Sequence, residues 1–201
     1  CRDTPEFMPA PISLAHRVAR ALDAARREGF SSLSPDAKTQ VSVEYCRGRP
    51  ARIYGVSLTV AFDGETMDGA KFDRLRAIAL DALSSGDMKP DGRTKVNVNA
   101  GETFEIGGPA RHAGLTGRKS GIDAYGEIAR QSGSALSGKD PSRIERAGAY
   151  AARHAAKNIV AAGLAERCEV HLAYAAGQAE PLSLSVETFN SGLLSDEKIA
   201  K

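Results

Sequence analysis

Segments with a helical repeat and segments with a strand repeat alternate along this chain, and that order constrains the fold more than any other feature. Segments 11–29 and 70–86 place apolar residues every three or four positions, which is the pattern of an amphipathic helix. Their apolar stripes are Leu14, Val18, Leu22 and Ala25 in the first and Phe72, Leu75, Ala79 and Leu83 in the second.

Strand-type alternation fills the segments between and after these helices. Residues 35–45 read as a turn that feeds a strand, residues 52–62 as a second strand, and residues 94–99 and 103–106 as two short ones. The sequence "EYCRGRP" predicts a hairpin turn near Cys46. A third helix is predicted over 141–163, opened by Pro141, with Ile144, Ala147, Ala151 and Ala155 on a closely packed face.

Two more strands, 168–176 and 182–189, follow that helix, with "GQAEP" between them. Strand pairs with helices set between them predict an α+β fold, with helices packed on mainly antiparallel sheets. Glycine-rich sequence with few long apolar runs begins near Gly107, and we place a domain boundary there. The two predicted domains are residues 1–106 and 107–201.

Composition excludes several classes of function. With 27 basic and 25 acidic residues the net charge is +2, so no overall field favours nucleic acid or a membrane surface. Cys1, Cys46 and Cys168 are odd in number and widely spaced, which argues against a disulfide framework and fits a cytoplasmic protein. His16, His154 and His171 are interpreted as packed or interface residues rather than ligands.

The segment 107–146 is the candidate for chemistry. Three glycine-rich stretches, "GGP", "GLTGRK" and "SGSALSGKD", enclose the cations Arg118, Lys119, Lys139 and Arg143. Uncrowded backbone N–H groups and fixed cations are what a phosphate site needs. Asp123, Asp140 and Glu145 could hold a divalent cation that bridges phosphates.

A Walker A loop is a poor match for this segment. Gly133, Gly138 and Lys139 have the required spacing, but Asp140 stands where that motif has Ser or Thr, and no apolar strand leads in. On composition alone, a solvent-exposed loop with scattered lysines is the simpler interpretation.

Longer stretches of the chain resemble the methionine adenosyltransferase (S-adenosylmethionine synthetase) family. They are "MPAPISLAHR", "PDAKTQVSVEY", "IGGPARHAGLTGRKSGIDAYG" and the run from "ALSGKDPSRIERAGAY" to "LSLSVETF". The resemblance implies three similar α+β domains around a pseudo-threefold axis. In that comparison residues 1–106 match the middle domain and 107–201 a truncated C-terminal domain, while the N-terminal domain with its His-Pro-Asp motif is absent.

The resemblance also implies an activity. Family enzymes transfer the adenosyl group of ATP to L-methionine, release tripolyphosphate and hydrolyse it. They use two Mg²⁺ ions and a K⁺. Its site lies between two subunits, so we expect a homodimer or higher oligomer, or a separate chain that supplies the missing domain. No nucleic acid or membrane partner is expected.

Site residues are carried over position by position from this resemblance. Lys38, Arg118, Lys119 and Lys139 match catalytic cations. The ATP-binding set adds Asp36, Ala37, Thr103, Phe104, His112 and Ala135 to those four. His112 and Arg143 match methionine-binding positions, and Glu145 matches a Mg²⁺ ligand.

Several of these positions depart from the family pattern. His112 and Glu145 stand where the family has Asp, Arg143 where it has Lys, and "TVAF" at 59–62 where it has "STQH". Loss of an acidic acceptor at 112 and a longer carboxylate at 145 both alter the chemistry of the site. Three hypotheses stay open: part of a working enzyme, a catalytically silent relative that binds nucleotide or regulates an active partner, and a substrate-altered enzyme such as a tripolyphosphatase.

Overall fold

A computed structural model of the chain describes residues 1–64, 66–100, 121, 124–130, 136 and 138–201. The chain divides into two compact units. The first unit is Ala10–Leu115, and the second unit combines Cys1–Pro9 with Thr116–Lys201.

The first unit contains helices α1 (Ala10–Arg27) and α2 (Gly69–Ser84) and strands β1 (Leu33–Cys46), β2 (Arg49–Phe62) and β3 (Lys95–Val98). The sheet has the order β1-β2-β3, with β1 and β2 antiparallel and β2 and β3 parallel. The predicted hairpin near Cys46 is confirmed, since a two-residue turn joins β1 to β2. Arg47 and Gly48 both have positive φ there, 51° and 78°, as tight hairpin turns require.

Both helices of the first unit bury most of the predicted apolar stripes, with Ala25 and Phe72 half-buried. In α1, Leu14, Val18 and Leu22 are buried, and in α2, Leu75, Ala79 and Leu83 are fully inaccessible. They join one core with the inward-facing residues of the sheet and the α1–β1 connection, namely Phe30, Leu33, Val41, Ile53, Val56, Leu58, Val60, Phe62 and Val98.

The beginning of β1 differs from the prediction. Residues 35–38 were predicted as a turn, but they continue a strand whose pairing register shifts between Leu33 and Ala37. The Ser34 hydroxyl accepts the Asp36 backbone N–H at 3.4 Å within that irregular stretch. Residues 34–36 lie opposite the single residue Ala61, so the irregularity takes up two extra residues. Bulges bend the strand without ending it, and the segment therefore keeps strand pairing in spite of Pro35.

The second unit contains a short 3₁₀ turn at Gly126–Ile128, helix α3 (Ile144–Ala161), strands β4 (Glu169–Ala173) and β5 (Ser183–Glu187) and helix α4 (Asp196–Ile199). Strands β4 and β5 pair antiparallel, and Glu169 lies opposite Glu187. The segment Cys1–Pro9 joins this unit through Arg2, whose backbone N–H donates to the Glu166 carbonyl at 2.9 Å.

Helix α3 packs on a different face from the predicted one. Ile144, Ala147 and Ala151 are exposed, while Gly148 and Val160 lie on the more buried side. At Gly148 an added Cβ would lie 3.2 Å from the Tyr174 ring, so the helix approaches that ring closely. Alanines occur on all sides of α3, and the helical repeat therefore carries too little contrast to select a face.

The α+β prediction for the fold class is confirmed by this arrangement of helices and mainly antiparallel strands. Within the described part of the chain, no helix combines the length and the apolar character needed to cross a membrane.

Candidate phosphate-binding site

The turn that leads into α3 is the part of the predicted site that the structure describes. Gly138 has φ 79°, a left-handed conformation that glycine adopts without a steric cost. The next residue, Lys139, donates its backbone N–H to the Leu136 carbonyl at 3.4 Å. Gly138 thus reverses the chain immediately before the lysine that was predicted to contact phosphate.

Asp140 closes the second half of this turn. Its Oδ1 accepts the Ser142 backbone N–H at 2.9 Å and the Ser142 hydroxyl at 2.6 Å. These two donors hold the pKa of the Asp140 carboxyl below its ordinary value. Because the turn uses residues 140–143, α3 begins at Ile144 rather than at Pro141.

The side chains of Lys139 and Glu145 form an ion pair across the turn. Lys139 Nζ lies 3.5 Å from Glu145 Oε1, and their side chains are 29% and 46% exposed. The Glu145 backbone N–H, and then the Lys139 ammonium, hold the pKa of the Glu145 carboxyl below its usual range. Ion pairs this exposed contribute little to stability, so a strongly charged anion can compete with Glu145 for the lysine.

Arg146 contacts the same turn and was missed by the sequence analysis. Its Nη1 donates to the Lys139 carbonyl, and its guanidinium lies 5.7 Å from the centre of the Tyr150 ring. A cation in the first turn of a helix opposes the helix dipole. That unfavourable placement is the sequence signal that could have marked Arg146 for another role.

Arg143 occupies the N-cap position of α3 and contributes its backbone to the turn. Its N–H donates to the Asp140 carbonyl at 3.0 Å, and its own carbonyl accepts from Ala147 at 2.9 Å. The residue is exposed. With Lys139 and Arg146 it places three cationic side chains within one turn of the start of the helix.

Two models of one enzyme family match this chain end to end. The S-adenosylmethionine synthetase central domain matches residues 1–104, and the C-terminal domain of the same enzyme matches residues 106–201. The chain belongs to the S-adenosylmethionine synthetase family. The resemblance seen in the sequence is therefore confirmed.

Relatives and a solved structure agree with this assignment. An S-adenosylmethionine synthase from Microcystis aeruginosa is 49% identical over 209 residues, which cover 99% of this chain and 50% of the relative. One from Acaryochloris marina is 47% identical over 208 residues, with the same coverage of 99% and 50%. The chain thus spans about half the length of the curated relatives it matches.

An S-adenosylmethionine synthetase from Campylobacter jejuni, described as unusual, has the same fold. The TM-score is 0.90 at 30% sequence identity, over 98% of this chain and 53% of the other. The S-adenosylmethionine synthetase-like arrangement predicted from the sequence is confirmed by this match.

The remaining family positions that the structure describes lie on β1. Asp36, Ala37 and Lys38 follow the bulge, and Lys38 pairs in register with Thr59 of β2. Thr59 begins the "TVAF" stretch that departs from the family pattern, so that departure lies directly beside Lys38. Ala37 and Lys38 are exposed and Asp36 is half-buried.

The structure brings Lys139, Glu145 and the backbone of Arg143 together in the second unit, and Asp36, Ala37 and Lys38 together in the first. The other predicted positions lie outside the described residues, and their roles stay predictions: Thr103, Phe104, His112, Arg118, Lys119 and Ala135. Asp123 is outside them too.

A metal site is not complete within the described residues. Across those ranges no three side chains of His, Cys, Asp or Glu come together. Glu145 is exposed at the turn, whereas the Asp140 carboxylate is engaged by Ser142. Mg²⁺ in nucleotide sites is usually held by one or two carboxylates, with substrate phosphates and water as the other ligands. A single exposed Glu145 fits that pattern.

Proposed function

We propose that this chain carries the polyphosphate-binding part of a methionine adenosyltransferase that makes S-adenosylmethionine from ATP and L-methionine. In that reaction the methionine sulfur attacks C5′ of ATP, and the whole triphosphate leaves and is then hydrolysed. The departing group carries roughly four negative charges, so cations must be fixed where that charge develops.

The turn at Gly138–Glu145 is the observation that carries this proposal. It presents the Lys139 ammonium beside the N-terminal end of an 18-residue helix, where the dipole favours anions. Arg143 and Arg146 add positive charge at the same helix end. The exposed Glu145 is the group that a phosphate would displace from Lys139.

The other family positions complete the proposed site. Arg118, Lys119 and Ala135 would contact the phosphates, and Thr103 and Phe104 the adenosine. His112 would contact ATP and methionine, and Arg143 would contact methionine. Asp36, Ala37 and Lys38 would reach the nucleotide from across a subunit interface, in a homodimer or with a separate chain that supplies further family domains.

Magnesium would be held at Glu145 together with phosphate oxygens, and would neutralise charge on the departing triphosphate. Lys139 is then freed from its ion pair to face the phosphates. The potassium ion is carried over from the family resemblance, and the cytoplasmic location rests on the cysteine pattern; both stay predictions.

Binding of tripolyphosphate to the purified chain tests the proposal. We expect calorimetry to show that Lys139→Met weakens binding about 10- to 100-fold, the usual cost of losing a hydrogen bond between charged groups. Lys157→Met is the matched control, because Lys157 is an exposed lysine on α3, away from the turn. Equal affinities for the two variants would contradict the proposal.

Activity is tested separately, by S-adenosylmethionine formation from ATP and methionine. The purified chain and a mixture with a full-length relative are assayed side by side, and light scattering reports their oligomeric state. Tripolyphosphate binding with no turnover by the chain alone, and no turnover in the mixture beyond that of the relative alone, would show that the chain binds polyphosphate but does not complete the enzyme.

The Lys139–Glu145 ion pair favours a second candidate function, that of a catalytically silent or substrate-altered relative that binds nucleotide or polyphosphate, or regulates an active partner. Glu145 pairs with the very lysine that should meet the phosphates. Phosphate release from tripolyphosphate without methionine would identify a tripolyphosphatase. In that case Lys139→Ala should slow release on the order of 10²–10³-fold.

A further inference from the structure

We propose that Arg146 is a positioning residue, which holds the peptide of Lys139 so that the lysine ammonium faces the bound phosphates. This inference rests on the proposed function of Lys139. It adds a residue that acts through the backbone of the turn rather than by touching the substrate.

The Arg146 side chain points back toward the turn that precedes α3. Side chains on a helix lean toward its N-terminus, and Arg146 lies in the first turn of α3. Its guanidinium therefore extends back over the turn, where Nη1 donates to the Lys139 carbonyl. The Arg146 backbone N–H donates in addition to the Arg143 carbonyl at 3.0 Å, which fixes the base of the side chain.

The turn around Gly138 is otherwise only loosely held. Gly138 adopts a left-handed conformation with open space where a Cβ would stand, so its own packing does not fix the peptide that follows. The Lys139 N–H bond to Leu136 is long, at 3.4 Å. A hydrogen bond from a charged guanidinium is stronger than that neutral one. Arg146 is thus the main described restraint on the Lys139 carbonyl.

The surroundings of the Arg146 guanidinium suit an arginine. Arg146 Nε is buried and has no hydrogen-bond partner among the described residues. Tyr150 lies one helical turn further on and packs its ring against the same guanidinium. The planar group is thereby held between an aromatic ring and one carbonyl, an arrangement that suits arginine better than lysine.

The test combines a structural and a functional readout on the full chain. In Arg146→Met, which keeps the unbranched stem, the carbonyl carbon signal of Lys139 should move in the ligand-free protein. Tripolyphosphate affinity should fall about tenfold, the loss expected for one charge-assisted hydrogen bond. Arg146→Lys keeps the charge without the planar fork and should show a smaller loss in the same direction.

Arg153→Met is the matched control, because Arg153 lies on the same helix with its guanidinium 5.4 Å from the Tyr125 ring. This variant should leave both the Lys139 carbonyl signal and the affinity unchanged. An unmoved carbonyl signal in Arg146→Met, or an affinity equal to that of the parent chain, would overturn the positioning role.

A double-mutant cycle separates positioning from direct binding. If Arg146 acts through Lys139, then Arg146→Met should cost little further affinity in a Lys139→Met background at low salt. Additive losses would mean that Arg146 contacts the anion itself, and would overturn the inference. If the parent chain binds no tripolyphosphate, the proposed function fails, and that outcome differs from a parent that binds while Arg146→Met binds equally well.

Discussion

The two units of this chain are stabilised by different forces. The first unit encloses a continuous apolar core between α1, α2 and the sheet. In the second unit, Pro9, Val160 and Ala165 are the apolar residues that are buried among those described. Its elements are tied instead by polar contacts, such as the ion pair of Arg130 with Glu169 at 2.7 Å and the bond from Thr188 to Asp196 at 2.5 Å.

The turn that carries Lys139 thus lies in the less apolar unit. Polar contacts are directional and respond to salt and pH, whereas apolar burial is non-directional and responds to temperature. A turn held by hydrogen bonds can present a charged group at a defined position, and it can exchange one partner for another. The ion pair of Lys139 with Glu145 is such an exchangeable contact.

The largest expected effect is in the core of the first unit. Phe62 is 2% exposed and packs its ring 5.8 Å from that of Phe30. Replacement by alanine should lower the free energy of unfolding by about 3–5 kcal/mol, because a large cavity remains. Urea denaturation measures it, with Tyr54→Ala as the exposed control. A loss of less than about 1 kcal/mol would show that the core is not what holds this unit.

The second-largest effect is expected from a substitution that crowds a close contact in the second unit. A Cβ at Gly192 would lie 2.8 Å from the Leu194 carbonyl oxygen and 2.8 Å from Thr188 Oγ1. Gly192→Ala should therefore destabilise the unit by about 1–3 kcal/mol through crowding. Gly92→Ala, where no atom lies within 4 Å, is the control. Similar unfolding curves for both variants would mean that the 188–196 turn tolerates extra volume.

A smaller effect should follow from the charges on the hairpin. Glu169 and Glu187 face each other across β4 and β5, and Arg130 pairs with both. Arg130→Met would leave two like charges opposed, which is unfavourable in a sheet. The melting temperature should drop at low salt and recover in part at 1 M salt, where surface charges are screened. If the drop in melting temperature does not depend on salt, Arg130 acts instead by packing its guanidinium over the Phe189 ring.

The smallest effect concerns pH. It compares the turn at Asp68, before α2, with the turn at Asp140, before α3. The carboxyls of Asp68, which caps α2, and Asp140 both have a lowered pKa. A lowered pKa adds stability above the ordinary carboxyl value of about 4, and this is lost as the pH falls through the lower folded value. The protection of the Lys71 and Ser142 amides, measured as exchange relative to the unfolded chain at the same pH, should thus be unchanged from pH 7 to 5 and fall below about pH 4.

A loss of protection at those two amides between pH 7 and 5 would contradict this account. A second outcome is equally informative. If Ser142 loses protection while Lys71 keeps it, the cap in the first unit is supported by the core rather than by the charge of Asp68.

The sequence predicted the first unit better than the second, for a physical reason. Leu and Val occupy one side of α1 while Arg and Asp occupy the other, so its buried face could be identified. In α3, alanine stands on every side, and the predicted face at Ala147 and Ala151 proved to be exposed. Contrast in hydrophobicity, not helix content, decides how much a periodic pattern reveals.

The site shows the same limit. The family, and the prediction that Lys139 contacts phosphate, followed from motifs, because those depend on residue order alone. The contacts of Lys139 with Glu145 and Arg146 depend on the backbone reversal at Gly138, and no spacing rule specifies them. The bulge that keeps residues 35–38 in β1 was missed for a similar reason, since Pro35 resembles a turn signal.

The account depends most on the claim that the Gly138–Glu145 turn receives phosphates. A tripolyphosphate titration followed by backbone and lysine side-chain NMR signals tests it most directly. The account predicts saturable shifts of the Gly138, Lys139, Asp140 and Ser142 amides and of the Lys139 ammonium, with Lys157 unaffected. Shifts that spread over exposed lysines without saturating, and that leave the turn unchanged, would contradict it.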